Sequence, residues 1–283
     1  MESSINLPKP SPETKANQLT TYFSELFLEI SKKKQHPLHP IFMELKNRLF
    51  DLADILDAQL EHPQLPSKDL AQATIINQWL ALTFLESLSL NNSSTSPETK
   101  IKPTHQLFPF LLALANLEDF QESTAAVHLR QLISGAYAHA RLLHTFQQLQ
   151  KQQPNRFTIY IPEQPPETLD IVELSDKESS ALEIVQWELA GIDFAFYDES
   201  TKTLYLIDAK GDQKIEFPTV KERQLGNQAK KVAQSITSEN SPPKTIKHLE
   251  IKLPIPPLRQ SQSTLEPLPK EQQTTIINNI NKI

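Results

Sequence analysis

The sequence contains no cysteine and only 4 glycines among its 283 residues. Without cysteine there can be no disulfide, thiolate metal site or thiol nucleophile. Dinucleotide-binding loops, P-loops and the Gly-x-Ser-x-Gly turn of many hydrolases need closely spaced glycines, and none of these patterns occurs. Three of the glycines, Gly191, Gly211 and Gly226, fall within one stretch of 36 residues. This stretch is therefore the first place in which to expect a site.

Long hydrophobic runs are missing as well. No window reaches the 18 or so apolar residues of a membrane-spanning helix. The N-terminal sequence MESSINLPKPSPETK has neither the basic nor the apolar region of a signal peptide. We therefore expect a cytoplasmic protein with no membrane partner.

The histidines are poorly spaced for a zinc site. His128, His139 and His144 share one predicted helix at spacings of 11 and 5, whereas a two-histidine site on a helix needs i and i+4. These residues are interpreted as structural.

Helical periodicity dominates the first part of the chain. Apolar residues recur at spacings of three and four, which predicts helices at about 41–60, 68–88 and 107–117, then a long helix at 123–152. Residues 1–122 are predicted to form a helical bundle behind a loose Pro/Ser-rich leader. Its apolar stripes carry no chemical motif and are interpreted as core.

The period changes to two from Arg156 onwards. RFTIYIP at 156–162 alternates like a strand, and GIDFAFYDESTKTLYLIDAKG at 191–211 predicts a hairpin. A helix with Val220, Leu225 and Ile236 on one face and a strand at 245–255 follow. Residues 123–283 are thus predicted to be an α/β domain with a Pro-rich C-terminal tail.

The hairpin brings two acidic residues together. If residues 199–202 form its loop, Asp198 faces Thr203 and Asp193 lies opposite Asp208, with Cβ atoms about 5 Å apart. Both faces of these strands are otherwise mostly apolar, so two unpaired carboxylates would cost several kcal/mol. A divalent cation would remove this repulsion.

Magnesium suits this position because it prefers hard oxygen ligands and keeps several of its waters. Asp193, Asp208 and the Ala209 carbonyl can supply those oxygens. Lys210 lies on the same strand face as Asp208 and can reach a metal-adjacent water or a phosphate oxygen.

The motif formed by Gly-Ile-Asp at 191–193 and Ile-Asp-Ala-Lys at 207–210 resembles the PD-(D/E)XK nuclease superfamily. The resemblance implies a restriction-endonuclease-like mixed sheet flanked by helices (α+β or α/β class) behind the helical bundle. It also implies that Asp193 and Asp208 are ligands of Mg²⁺, for which Mn²⁺ can substitute. Lys210 would be the base that positions water and phosphate.

Two further residues follow from the same resemblance. Glu188, five residues before Asp193, is a candidate for an additional acidic residue, and Gln228 is a candidate on the next helix. The chain departs from the family pattern at Ile192, which replaces proline, and in the helix at 123–152, which has no glutamate.

Charge is unevenly distributed along the second half of the chain. Residues 151–209 carry 4 Lys+Arg and 12 Asp+Glu, a net charge of −8, whereas residues 210–283 carry 12 and 7, a net charge of +5. The basic segment can contact phosphates through Lys214, Lys221, Arg223, Lys230 and Lys231. The whole chain is mildly acidic, so strong nonspecific binding to nucleic acid is not expected.

The sequence therefore predicts a Mg²⁺-dependent endonuclease acting in restriction, defence or repair, with DNA favoured over RNA. The helical region would bind DNA, a partner protein or a second copy in a homodimer. Two alternatives stay open: a catalytically inactive nuclease-like module of a larger complex, and a helical partner-binding protein whose Asp208 and Lys210 form a solvated ion pair.

Overall fold

The computed structural model describes residues 78, 80–89, 108, 124–162, 183–184, 186–237, 242–255 and 265–283. All of them belong to one compact unit, Thr74–Ile283. Residues 80–89 are helical, in agreement with that part of the helix predicted at 68–88. The helix predicted at 41–60, nearly all of the helix at 107–117 and the domain boundary at 122/123 lie outside the described residues.

The centre of the unit is a mixed five-stranded sheet, which confirms the α+β class. Its strands are β1 (Phe157–Tyr160), β2 (Phe194–Asp198), β3 (Thr203–Asp212), β4 (Thr219–Arg223) and β5 (Thr245–Pro254). The spatial order is β1-β2-β3-β5-β4. Strands β1, β2 and β3 form an antiparallel meander, β5 runs parallel to β3, and β4 closes the far edge antiparallel to β5.

Helices α1 (Thr124–Gln152), α2 (Asn227–Thr237) and α3 (Lys270–Lys282) accompany the sheet, and residues 183–184 and 186–189 are also helical. Helix α1 begins within a residue of the predicted position and ends where predicted. None of the described helices is both long enough and apolar enough to cross a bilayer.

The sheet is covered on both faces, as the apolar parity of the hairpin predicted. On one face, Phe146 of α1 stacks on Phe196 with ring centroids 4.4 Å apart. On the other face, Val232 and Ala233 of α2 join Leu204 and other residues in a buried cluster. The candidate site therefore lies at the end of strands that are packed on both faces.

The predicted register of the hairpin is confirmed within β2 and β3, but the paired residues end at Phe194 and Ile207 and do not include Asp193 and Asp208. Asp198 pairs with Thr203 and Phe194 with Ile207. All five residues of β2 and the first seven of β3 are buried. Both faces of the hairpin are therefore buried, and its short loop sets the register.

The helix predicted after the hairpin begins later than expected. Residues 219–223 form the edge strand β4, and α2 starts only at Asn227, so Val220 is not helical. Thr219 and Val220 favour extended backbone, and their segment finds backbone partners along the open edge of β5. Lys221 and Arg223 consequently lie on a strand.

Helix α3 was not predicted, because residues after 255 were interpreted as a Pro-rich tail. Its residues Ile276 and Ile280 are buried, at the i, i+4 spacing that places both on one face. The helix packs against β4.

Candidate active site

A cavity of about 260 Å³ opens where β3 passes beneath α1. Its lining residues are Gln131, Ser134, Gly135, Glu188, Asp193, Ala209, Lys210 and Gly211. The fold thus gathers four of the predicted residues, Glu188, Asp193, Ala209 and Lys210, around one space. Asp208 and Gln228 are not among the lining residues. Gln228 is exposed on α2.

Asp193 is anchored to β3 by two hydrogen bonds. Its backbone N–H donates to the Ile207 carbonyl at 2.7 Å, and its Oδ2 accepts the Ala209 N–H at 2.6 Å. The second bond joins the two halves of the motif directly.

The turn before Asp193 depends on a glycine. Gly191 has φ +67°, a left-handed conformation that costs other residues about 1 kcal/mol or more. The Gly191 N–H donates to the Glu188 carbonyl at 2.8 Å. The buried His248 of β5 donates from Nε2 to the Gly191 carbonyl at 3.1 Å. Strand β5 therefore helps to set the position of Asp193.

Asp208 is almost fully buried, at 2% exposure, and lies between two cations. Lys210 Nζ is 2.7 Å from its Oδ1, and Arg223 Nη1 is 2.6 Å from its Oδ2. The second contact is an ion pair without hydrogen-bond geometry. Arg223 also contacts Glu250 through Nη2, so one guanidinium joins two carboxylates.

The charges of the site act on one another. Burial raises the pKa of Asp208, Lys210 opposes this shift, and the negative charge of Asp193 adds to it. Burial alone would lower the pKa of Lys210, but the neighbouring Asp193 and Asp208 carboxylates raise it to about 12. Although 53% of the Lys210 side chain is exposed, its ammonium contacts Asp208. Lys210 is therefore a permanent positive charge at neutral pH.

Glu188 behaves differently from the other carboxylates. Its pKa is raised to about 7, first by removal of the carboxylate from water and then by the negative charge of Asp193, while Lys210 lowers it. Glu188 is nevertheless exposed, which limits the effect of burial on its pKa. Repulsion by Asp193 is therefore the cause that remains. A carboxyl group with a raised pKa thus borders the cavity.

His139 is the neighbour of this site that the sequence did not reveal. It lies on α1, and its Nδ1 is 3.6 Å from Asp193 Oδ1. Neither ring nitrogen has a hydrogen-bond partner among the described residues. Burial lowers its pKa, and the charge of Asp193 opposes this shift. The sequence shows only that His139 lies on the apolar face of a long helix, and this pattern does not predict that Asp193 lies nearby.

Gly211 explains how α1 approaches β3 so closely. A Cβ at this position would lie 2.8 Å from the Ser134 carbonyl oxygen and 3.1 Å from Ile255 Cδ1. The first distance is too short for a real contact. The missing side chain therefore lets helix and strand meet at the cavity.

The residues present fit a hard divalent cation in type and charge. No group of three or more His, Asp or Glu residues in the described part of the chain is arranged to hold a metal. Mg²⁺, however, is commonly held by one or two carboxylates together with water. Here the Lys210 ammonium, which lines the cavity, already occupies a cation position beside Asp208 Oδ1. Asp193, Asp208 and the Ala209 carbonyl are the oxygen donors concerned.

Comparison of the chain with protein-family models, with curated proteins and with solved structures gave no match. The groups around the cavity nevertheless define its chemistry. Anchored carboxylate oxygens attract a cation, and the Lys210 ammonium attracts an anion such as a phosphate.

Proposed function

We propose that this protein is a metal-dependent phosphodiesterase that cleaves DNA, with a restriction-endonuclease-like domain of the PD-(D/E)XK type. The observation that carries this proposal is the bond between the Ala209 N–H and Asp193 Oδ2. It joins the two halves of the motif at a cavity that Lys210 also lines.

The order of the elements supports the proposal. The sequence pattern predicted a helix, a strand, two paired strands, a helix and a final strand for such a domain. Helix α1, strands β1 to β3, helix α2 and strand β5 follow in this order. The edge strand β4 is an addition that leaves this order intact.

The two aspartates would hold the ion together with the Ala209 carbonyl. When bound, Mg²⁺ or Mn²⁺ would lower the pKa of a coordinated water and stabilise negative charge on phosphorus.

Lys210 has a narrower role in this proposal than the sequence suggested. With a pKa of about 12, its amine stays protonated and cannot accept a proton from water at neutral pH. It instead holds a phosphate oxygen and stabilises the charge that develops during attack. This role follows from the two carboxylates that surround it.

Glu188 is the better candidate for the base. Its side chain is exposed and borders the same cavity, so its carboxylate can accept a proton from water there. Gln228 has no comparable position, since it is exposed on α2.

The proposal is tested by incubating labelled duplex DNA, single-stranded DNA and RNA with the full chain and Mg²⁺ or Mn²⁺. Cleavage of DNA is expected, and EDTA should stop it. Asp193→Ala and Asp208→Ala should abolish cleavage, and Lys210→Met should slow it about 100- to 1000-fold. Circular dichroism must show that each variant is folded.

Matched controls come from β3 and from its neighbour β5. Asp212→Ala removes a carboxylate of β3 that lies outside the cavity lining, and Lys252→Met removes the cation paired in register with Lys210. Both should cut DNA at nearly the wild-type rate. If the wild type cuts neither DNA nor RNA with either metal, the proposal fails.

One observation favours a second candidate, a catalytically inactive nuclease-like module. Each oxygen of Asp208 already lies within 2.7 Å of a cationic nitrogen, so Asp208, Lys210, Arg223 and Glu250 can form a purely structural ion network. Calorimetry with Mn²⁺ tests for such a network, because a purely structural hairpin would bind none, and the cleavage assay separates an inactive module from a nuclease.

A further inference from the structure

His139 is a buried polar side chain on the face of α1 that covers the sheet. It precedes Phe146 by seven residues, the spacing that places both on one helix face, and it is only 1% exposed. Its ring stacks on Phe194 with centroids 5.9 Å apart. An unpaired polar group at such a position costs about 1–3 kcal/mol, which an apolar side chain would avoid. A hydrogen-bond partner for the imidazole is therefore expected.

The carboxylate of Asp193 is the group that the imidazole approaches. His139 Nδ1 is 3.6 Å from Asp193 Oδ1, about 0.4 Å beyond the longest usual N–H···O hydrogen bond. In the described part of the chain neither ring nitrogen has a hydrogen-bond partner. A small rotation of the imidazole would therefore close the gap without breaking any bond that the ring makes to these residues.

The charge of Asp193 selects the ring nitrogen that carries the proton. Burial lowers the pKa of His139, and the charge of Asp193 opposes this shift, so the ring is neutral at neutral pH and has one N–H. A lone pair on Nδ1 would face the negative Oδ1, whereas an N–H on Nδ1 is attracted to it. The proton is therefore expected on Nδ1.

A bond from His139 would hold the Asp193 carboxylate at both of its oxygens. Oδ2 already accepts the Ala209 N–H at 2.6 Å. Donors on both oxygens fix the rotation of the carboxylate, and each oxygen keeps a lone pair for a cation. We infer that His139 is a positioning residue that donates from Nδ1 to Asp193 Oδ1 and so orients this carboxylate at the cavity. This inference rests on the proposed metal-dependent function and adds a residue to its site.

The test compares two substitutions of His139 in the full chain. His139→Phe keeps a ring against Phe194 and removes the N–H, whereas His139→Asn keeps an N–H near the position of Nδ1 and removes the ring. The Phe variant should bind Mn²⁺ about 10- to 100-fold more weakly in calorimetry, with KM for DNA unchanged at saturating Mn²⁺. The Asn variant should stay close to the wild type, and a purely structural ring predicts the reverse order. His144→Phe changes another buried histidine of α1 and is the control.

A second measurement needs no variant and no metal. Nitrogen NMR of the wild type with ¹⁵N-labelled histidine distinguishes a protonated ring nitrogen from a bare one, and the His139 signals are identified by their contacts with the Phe194 ring. A proton on Nδ1 at neutral pH would support the inference. A bare Nδ1 would overturn it.

The outcomes separate this inference from the nuclease proposal. A wild type that binds Mn²⁺ but cleaves no nucleic acid would contradict the nuclease proposal alone. A folded Phe variant that binds Mn²⁺ as tightly as the wild type, or an Asn variant no better than the Phe variant, would overturn the inference alone. No bound Mn²⁺ in the wild type would contradict both. If urea unfolding shows that neither variant folds, the protonation of Nδ1 decides.

Discussion

At the scale of single residues, the candidate site has more negative than positive groups. In the part of the chain that the structure describes, Lys210 and Arg223 are the cations in contact with this group of carboxylates, which comprises Glu188, Asp193, Asp208 and Glu250. Close carboxylates repel one another, which is one cause of the raised pKa of Glu188. A divalent cation would balance this excess, and protonation of Glu188 is the alternative when no cation is bound.

Glu188→Gln tests this repulsion. The pKa of Glu188 is about 7 in the folded protein against an ordinary 4.5, so between these pH values the folded state binds more protons than the unfolded state. Metal-free wild type should therefore lose stability as the pH rises from 4.5 to 7, and Glu188→Gln should lack this loss. The difference should stay below about 1 kcal/mol because the residue is exposed. Parallel curves of melting temperature against pH would contradict this.

Gly211→Ala tests the close approach of α1. The new methyl group would meet the Ser134 backbone, which can move only with its helix, so unfolding free energy should fall by about 1 to 3 kcal/mol. Denaturant unfolding measures this. Gly226→Ala is the control, since a Cβ there meets nothing within 4 Å, and a change within about 0.5 kcal/mol is expected. Equal effects of the two substitutions would contradict the packing argument.

At the scale of elements, hydrogen bonds to Asp198 stabilise the hairpin at the end opposite the site. Asp198 accepts bonds from Arg156 Nε at 3.1 Å and Nη2 at 2.9 Å, and from the Ser200 N–H and hydroxyl at 2.9 and 2.6 Å. These contacts tie the hairpin loop to the start of β1. They hold the register on which the position of Asp193 depends.

Asp198→Asn should weaken these hydrogen bonds and lower the free energy of unfolding. Burial alone would raise the pKa of Asp198, but the bonds from Arg156 and Ser200 lower it below 3.8. The stabilisation is therefore present above pH 3.8 and lost as the pH falls through the lower folded value. We expect a loss of about 2 kcal/mol at neutral pH that shrinks below pH 3.8, measured by urea unfolding. A loss that is independent of pH would contradict the ionic explanation, and Glu199→Gln should leave unfolding unchanged.

Local pattern accounts for the elements that could be predicted. The hairpin consists of two largely apolar segments joined by one short polar loop, so its register followed from the position of that loop. Strand β4 was missed because residues 219–223 become a strand only by pairing with β5, about 25 residues later. His139 and Arg223 were missed at the site for the same reason. His139 lies near Asp193 and Arg223 contacts Asp208, and both contacts join residues too far apart in sequence for a local pattern to predict them.

At the scale of the whole molecule, the two oppositely charged segments meet in one site. The acidic segment 151–209 supplies Glu188, Asp193 and Asp208, and the basic segment 210–283 supplies Lys210 and Arg223. Lys221, Lys230 and Lys231 remain exposed. Together with Lys214, which is also exposed, they can attract a polyanion to the domain.

Charge reversal at Lys221, Lys230 and Lys231 should therefore weaken DNA binding at low salt. If each contacts one phosphate, the slope of log affinity against log salt should fall by about 1 for each substitution. Fluorescence anisotropy with labelled DNA and Ca²⁺ measures this without cleavage. Lys202→Glu is the control, because it lies in the hairpin loop at the other end of β3 from the site. An unchanged slope in the triple variant would show that DNA does not use this surface.

The central claim is that Asp208 belongs to a working metal-dependent phosphodiesterase rather than to a structural ion network. The most direct measurement is the rate of cleavage of labelled duplex DNA by wild type and by folded Asp208→Asn, each with Mg²⁺ and with EDTA. The account predicts cleavage only by the wild type and only with Mg²⁺. Equal rates for the two proteins, or no cleavage by the wild type with either Mg²⁺ or Mn²⁺, would contradict it.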